Sequence, residues 1–246
     1  MSFFRCLPPL YKYPVILFAG FNLLFSSVVL AVSEAFYKLA ATVLPIAYKM
    51  FNDTVEKGAE DFEWTEAEHL QMEHYKDVML LLWALSAIGI LLCMFIIIPQ
   101  FFDFFDKKGN PHHMCFILPR LAWIKFYLLM AYLVSLFVAL LLAAAICPPA
   151  TTMFINNFIA AEKEEIYVSE LEDKLECVSD DDKEVPDWMN CWKNVQMSFI
   201  REWWLSILIA FFVFGNLVCA LLVPFLNKPL FHNDEDEDEE REKMVA

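Results

Sequence analysis

Residues 203–227 read WWLSILIAFFVFGNLVCALLVPFLN, 25 positions without one charged side chain. A helix of about 20 apolar residues crosses a hydrocarbon core about 30 Å thick, so this stretch predicts a membrane span. All 18 basic and 33 acidic residues of the 246-residue chain lie outside this run and three similar ones, namely Pro14–Ser33, Val78–Phe102 and Phe126–Ala161. This pattern predicts an all-α membrane protein with a four-transmembrane-helix bundle. It excludes a soluble globular domain, intrinsic disorder, a nucleic-acid-binding protein and a secreted disulfide mini-protein.

The limits of the four spans follow from run length and proline. The first run is longer than the core of a cleaved signal peptide, about 7–15 residues, so we interpret it as a retained span. In the third run, Pro148 and Pro149 remove backbone donors, and the span is expected to stop near Ile146. We place the spans at residues 15–33, 78–102, 126–147 and 203–227.

The orientation of the spans is predicted from the basic residues in the connections. The segment before the first span contains Arg5 and Lys12 and no acidic residue. The connection Asp103–Lys125 contains four basic residues among its 23 positions. The other two connections hold four basic residues in 44 and five in 55. The side with about twice the basic density should be cytoplasmic. This predicts a cytoplasmic N-terminus (1–14), inner loop (103–125) and acidic tail (228–246). Residues 34–77 and 148–202 are then predicted to form extracellular loops. We expect the protein in the plasma membrane or, alternatively, in an endosomal membrane.

Two patterns agree with this orientation. Asn52-Asp53-Thr54 is the only N-x-S/T sequence, and it falls in the first outer loop, where glycosylation of Asn52 is expected. Cys177 and Cys191 fall in the second outer loop, where a disulfide would contribute about 3 kcal/mol by closing a loop of about 15 residues. Cys147 also faces outward, so three pairings stay open, as do unpaired thiols.

The second outer loop is predicted to be partly helical. Thr151 or Thr152 would cap a helix that runs past Phe154 and Phe158, and Pro186-Asp187 would open another. That second helix would run into the fourth span, because its apolar residues keep helical spacing: Trp188, Trp192, Val195, Phe199 and Trp203.

Residues for chemistry are scarce. The spans contain no charged residue, no catalytic motif occurs, and His112-His113 lacks partners at metal-ligand spacing, so we expect no enzyme, metal or cofactor. Cys6 and Cys115 are predicted to lie near the cytoplasmic surface of the membrane. Each is equally well explained as a site of reversible acylation or as an unmodified thiol. Small residues recur at every fourth position of the third span: Ala131, Ser135, Ala139 and Ala143. They form a face where another helix can approach closely, or the spacing arises by chance.

The layout resembles the tetraspanins, which have two cytoplasmic ends, four spans and a larger, cystine-bearing second outer loop. Arg5-Cys6, Lys12-Tyr13 and the aromatic helix with Asn22 look like that family's opening, and Gly89 with Cys93 is similar to its second span. Asp187-Trp188 and Cys191 are similar to the end of its large loop. The Cys-Cys-Gly triplet of the family is missing, since Val178-Ser179 follows Cys177. A convergent four-span protein is therefore the alternative.

These patterns predict a non-enzymatic organiser or adhesion protein. It would contact membrane lipid and bind other membrane or cell-surface proteins, or further copies of itself, through its outer loops. The first outer loop carries ten acids and four bases, a net charge of −6, and the second carries thirteen and five, a net charge of −8. A basic partner is thus favoured. The alternative is an oligomeric ion channel or auxiliary subunit, with Asn22 and Asn216 lining the path.

Overall fold

The protein is described by a computed structural model that covers residues 12–57, 62, 64–105, 118–161, 165–178 and 190–222. These residues are about 92% helical and contain no strand, which confirms the predicted all-α class. The helices in chain order are α1 (Lys12–Glu56), α2 (Glu66–Phe105), α3 (Leu118–Ala160), α4 (Glu165–Leu175), α5 (Cys191–Met197) and α6 (residues 202–222).

Four helical segments of the described chain are long and apolar enough to cross a membrane, as predicted. They are Ile16–Glu56, Glu66–Ile98, Tyr127–Ala160 and Cys191–Leu222. The first three belong to helices of 45, 40 and 43 residues. At 1.5 Å per residue such helices are about 60–68 Å long, roughly twice the hydrocarbon thickness. Much of the predicted outer loops is therefore a continuation of the span helices.

The helix containing the third span does not stop at its prolines. We expected an end near Ile146, but α3 continues through Pro148 and Pro149 to Ala160. Proline in a helix interior costs about 3 kcal/mol. Cys147 and Phe154, on either side of the pair, are both fully buried, so packing on both sides holds the two halves in one helix. Thr152 consequently lies inside α3 and does not cap it; its hydroxyl donates to the Pro148 carbonyl at 2.9 Å.

The N-terminus of α2 carries a signal that the sequence analysis missed. Thr65 Oγ1 accepts from the Glu68 backbone N–H at 3.4 Å, and Glu68 Oε2 accepts from the Thr65 backbone N–H at 2.8 Å. This reciprocal arrangement satisfies two of the amide groups that a helix start leaves without partners. The pattern Thr-x-x-Glu ahead of an apolar run would have placed the helix start within the first predicted outer loop.

The predicted helix from Pro186-Asp187 into the fourth span is wrong in its extent. Asn190 caps α5, its side-chain oxygen accepting from the Lys193 backbone N–H at 3.1 Å, and α5 ends at Met197. Residues 198–201 leave the helix before α6 begins. Trp188 lies outside the described residues. Val195 and Phe199 are buried as the spacing suggested, whereas Trp203 is exposed.

The described residues divide into two compact units. The first takes its residues from Met1–Val28, Leu85–Leu136 and Ala210–Ala246, and the second from Val29–Ala84 and Phe137–Ile209. Each of α1, α2, α3 and α6 supplies a stretch to both units. The predicted outer loops lie wholly in the second unit.

Candidate functional site: the second unit and the polar contacts of the first

An aromatic cluster forms the interior of the second unit. Phe154 of α3 stands at its centre, with ring centroids 5.7 Å from Phe51 of α1, 5.9 Å from Phe158 and 4.6 Å from Phe199. Phe51 is also 4.6 Å from the ring of Trp64. Such ring pairs contribute about 0.5–1.5 kcal/mol each beyond their area burial. Because the cluster draws on residues 34–77 and 148–202, the two predicted outer loops share one core.

Tyr75 explains why the chain can leave the helix between α5 and α6. Its hydroxyl accepts from the Ile200 backbone N–H at 3.0 Å, while Thr151 Oγ1 donates to the Ile200 carbonyl at 3.3 Å. The N–H and C=O groups of Ile200 are thus both satisfied without helical partners.

The predicted disulfide is confirmed. Cys177 and Cys191 are bonded, with their Cα atoms 5.0 Å apart, and Cys147 is a separate, buried thiol in α3. The open question of three pairings is thereby resolved. The bond joins the end of α4 to the start of α5, where Val178 and Asn190 also form a parallel bridge.

The end of α4 is made by a residue in the left-handed region. Glu176 has φ 51°, and the Cys177 backbone N–H donates to the Glu172 carbonyl at 3.3 Å. This is the Schellman arrangement, in which glycine usually takes the left-handed position. Here a glutamate takes that position, directly before the disulfide-bonded Cys177.

Polar side chains tie α4 and α3 to the first predicted outer loop. The Tyr167 hydroxyl donates to the Asp53 carboxylate, and Lys49 pairs with Glu170 at 3.4 Å. The hydrogen bond to Asp53 is the main cause that raises the pKa of Tyr167 to about 12. Asn157 donates to Glu68 at 3.1 Å. These contacts connect segments that are 89 to 121 positions apart.

The predicted glycosylation site lies in the middle of a helix. Asn52 is exposed on α1, but Thr54 is 2% exposed and its hydroxyl donates to the Met50 carbonyl at 2.8 Å. The sequon can therefore be recognised only before α1 packs. Glycosylation of Asn52 stays a prediction.

The predicted small-residue face of the third span is split by the helix geometry. Ala139 and Ala143 are buried, whereas Ala131 and Ser135 are exposed. Four residues turn a helix by about 400°, so a spacing of four drifts by about 40° at every step. The buried face of α3 instead follows steps of three and four: Leu129, Tyr132, Leu136, Leu140, Ala143, Cys147, Ala150 and Phe154.

Polar residues of the spans bridge helices in the first unit. Asn22 of α1 donates to Asn216 Oδ1 of α6 at 3.0 Å, and Ser26 hydrogen-bonds the Tyr132 hydroxyl of α3 at 2.5 Å. A Cβ on Gly89 of α2 would overlap the Tyr132 ring. Tyr132 was not predicted to bridge helices, because a tyrosine in a span gives no periodic signal. Within the described part of the chain, the Ser27 hydroxyl donates only to the Leu23 carbonyl of its own helix, at 2.8 Å.

The remaining predicted residues do not form a site that the structure can describe. Cys6, Cys115, His112-His113 and the acidic tail lie outside the described residues. Among the residues that are described, no group of three His, Cys, Asp or Glu side chains is placed to hold a metal ion.

Comparisons of the chain with protein-family models, with curated proteins and with solved structures find no match. The geometry of the two units is therefore the basis for assigning a function.

Proposed function

We propose that this protein is a non-enzymatic four-span organiser or adhesion protein of the plasma membrane. In this proposal both termini face the cytoplasm, and residues 34–77 and 148–202 form an outer binding surface for other membrane or cell-surface proteins. Membership of the tetraspanin family is part of the hypothesis and rests on the residue pattern alone.

The observation that carries the proposal is the shared aromatic core of those two segments, in which Phe51 and Phe154 are in ring contact. The disulfide between Cys177 and Cys191 restrains the same region. A surface supported in this way loses little conformational entropy when it binds, which favours recognition of a partner.

The exposed face of α4 is the part of this surface that best fits a protein partner. Ile166 is 71% exposed, and Asp173 lies two turns further along the same face, while Tyr167 and Leu171 are buried on the opposite side. The two outer segments carry net charges of −6 and −8. An apolar anchor within an acidic surface favours a partner with an apolar pocket surrounded by lysine or arginine.

The orientation is tested on intact cells with a membrane-impermeant amine reagent. Exposed Lys174 of α4 should be labelled, and Lys174→Arg should abolish that labelled peptide. Labelling of Lys243 in the acidic tail, with Lys174 unlabelled, would reverse the assignment.

Partner binding is tested by carbodiimide cross-linking on native cells, because this reagent joins carboxylates directly to neighbouring amines. We expect Asp173 to be linked to lysines of another membrane protein, and Ile166→Asp to reduce the cross-linked product several-fold. Asp77→Asn, which removes an exposed carboxylate from α2, serves as the matched control. Cross-links confined to this chain would count against the proposal.

The channel alternative is tested by recording from the purified protein in a planar bilayer. Asn22 is fully buried and bonded to Asn216, which supports a role of Asn22 in helix packing rather than in a path between subunits. Silence is expected. A selective conductance would favour the channel instead.

A further inference from the structure

An open groove of about 620 Å³ lies between α3 and the start of α6, within the second unit. Thr152 and Asn156 line it from α3, and Arg201, Glu202, Trp203 and Ser206 line it from the other side. Its floor includes Pro148, the first residue beyond the third predicted span. The groove therefore lies at the depth where the predicted spans meet the predicted outer segments.

Four exposed polar side chains line this groove without partners of their own among the described residues. Arg201, Glu202, Asn156 and Ser206 make no side-chain hydrogen bond or ion pair with any residue that the structure describes. The neighbouring Asn157, by contrast, donates to Glu68. One cation, one anion and two neutral hydrogen-bonding groups thus converge on one open volume.

Two exposed tryptophan rings also lie where the predicted fourth span begins. Trp203 and Trp204 are stacked with ring centroids 4.5 Å apart, and 52% and 37% of their surfaces are exposed. Tryptophan concentrates where lipid headgroups meet hydrocarbon. Trp203, Trp204 and Ile207, all exposed and all in the second unit, form an apolar stripe at the start of α6.

We propose that this groove binds the headgroup of a zwitterionic phospholipid. The Arg201 guanidinium binds the phosphate, because its paired N–H groups can donate two hydrogen bonds to two phosphate oxygens. The Glu202 carboxylate and the Trp203 ring bind the quaternary ammonium group, because such a cation is attracted by negative charge and by the faces of aromatic rings. The acyl chains lie along the apolar stripe of α6.

The adjacent charges of Arg201 and Glu202 favour a zwitterionic lipid over an anionic one. An anionic lipid would satisfy Arg201 but would be repelled by Glu202, whereas a zwitterionic lipid satisfies both. A free phosphate ion would leave Glu202 and the apolar stripe without a role. The lipid site does not depend on the protein partner proposed above, since none of its lining residues belongs to α4, the helix proposed to contact that partner.

The test is native mass spectrometry of the full chain, released from nanodiscs that contain equal amounts of phosphatidylcholine and phosphatidylglycerol. We expect retention of one phosphatidylcholine by the wild type, and about a tenfold loss of retention in Arg201→Ala and in Glu202→Gln. Lys174→Ala removes an exposed cation from α4 and should leave retention unchanged. Arg201→Lys, which keeps the charge but loses the paired donors, should fall between.

Three results would overturn the lipid site: equal retention in the wild type and both groove variants, preferential retention of phosphatidylglycerol, or an equal loss in Lys174→Ala. Far-UV circular dichroism of each variant establishes that its helices are intact. Should Arg201→Ala fail to fold, Glu202→Gln alone decides the outcome. Failure of partner cross-linking would leave this result unaffected.

Discussion

The side-chain nitrogen of Asn22 in α1 donates to the side-chain oxygen of Asn216 in α6 at 3.0 Å, across 194 positions of the chain. The same nitrogen donates to the Phe18 carbonyl at 2.9 Å, and Asn22 is fully buried. Within a lipid-embedded bundle such a bond fixes which helices are neighbours, because its loss leaves polar groups without water.

We expect the Asn22–Asn216 pair to couple measurably. In a double-mutant cycle with Asn22→Ala and Asn216→Ala, the coupling free energy should be about 0.6 kcal/mol and at most about 1.7 kcal/mol, the range of interhelical bonds in membranes. It is measured by chemical unfolding in detergent. Ser27→Ala is the control, since the Ser27 hydroxyl donates to the Leu23 carbonyl of its own helix and should not couple with Asn216.

Two glycines should respond oppositely to alanine. A Cβ on Gly89 would collide with the Tyr132 ring, whose hydroxyl is tied to Ser26, so Gly89→Ala should destabilise the protein by about 1–3 kcal/mol. Gly20 has open space around it, and Gly20→Ala should be neutral or stabilising by up to about 1 kcal/mol through helix propensity. Thermal melting of both variants in one detergent makes the comparison. Equal effects would show that Tyr132 moves aside at no cost.

The contact of Tyr167 with Asp53 should make stability depend on pH. The hydrogen bond raises the pKa of Tyr167 to about 12 from an ordinary value of 10.0, so the folded state holds this proton more tightly than the unfolded state. The stabilisation is present below pH 10 and is lost as the pH rises toward 12. Tyr167→Phe should therefore lower the melting temperature at pH 7, and its difference from the wild type should shrink above pH 10.

The matched control for that experiment is Tyr37→Phe, because the Tyr37 hydroxyl has no hydrogen-bond partner among the described residues. It should melt like the wild type at every pH. A constant gap between Tyr167→Phe and the wild type from pH 7 to pH 11 would contradict the expected linkage.

Glycine should have opposite effects at two positions near the end of α4. At Glu176, where φ is 51°, Glu176→Gly relieves a conformation that costs an L-residue about 1–2 kcal/mol and should stabilise by about 0.5–1 kcal/mol. Two residues earlier, Lys174→Gly falls inside the helix and should destabilise by up to about 1 kcal/mol. Denaturant midpoints of the two variants, with the disulfide intact, give both values. Destabilisation by Glu176→Gly would refute the assignment of the helix end.

The sequence predicted what depends on local composition. Transfer of a helix into lipid is close to a sum over about 20 consecutive residues, so the runs around Val29, Leu82, Leu140 and Leu208 were sufficient to predict four spans. A disulfide between Cys177 and Cys191 was expected because both stand in a segment assigned to an oxidising compartment, but the structure was needed to exclude Cys147 from the pairing. Thr65 and Glu68 were readable as a helix start but were overlooked.

What the sequence by itself determined is thus the class of protein and the number of spans. Only the tertiary structure decided that α3 passes through Pro148 and Pro149, that the chain breaks at Ile200, and that Phe51 and Phe154 share a core. Each of these depends on atoms far apart in the chain: burial on both sides of the prolines, the Tyr75 hydroxyl for the Ile200 amide, and ring contacts between α1 and α3. Such contacts have no periodic signature, because their free energy arises only when separate helices meet.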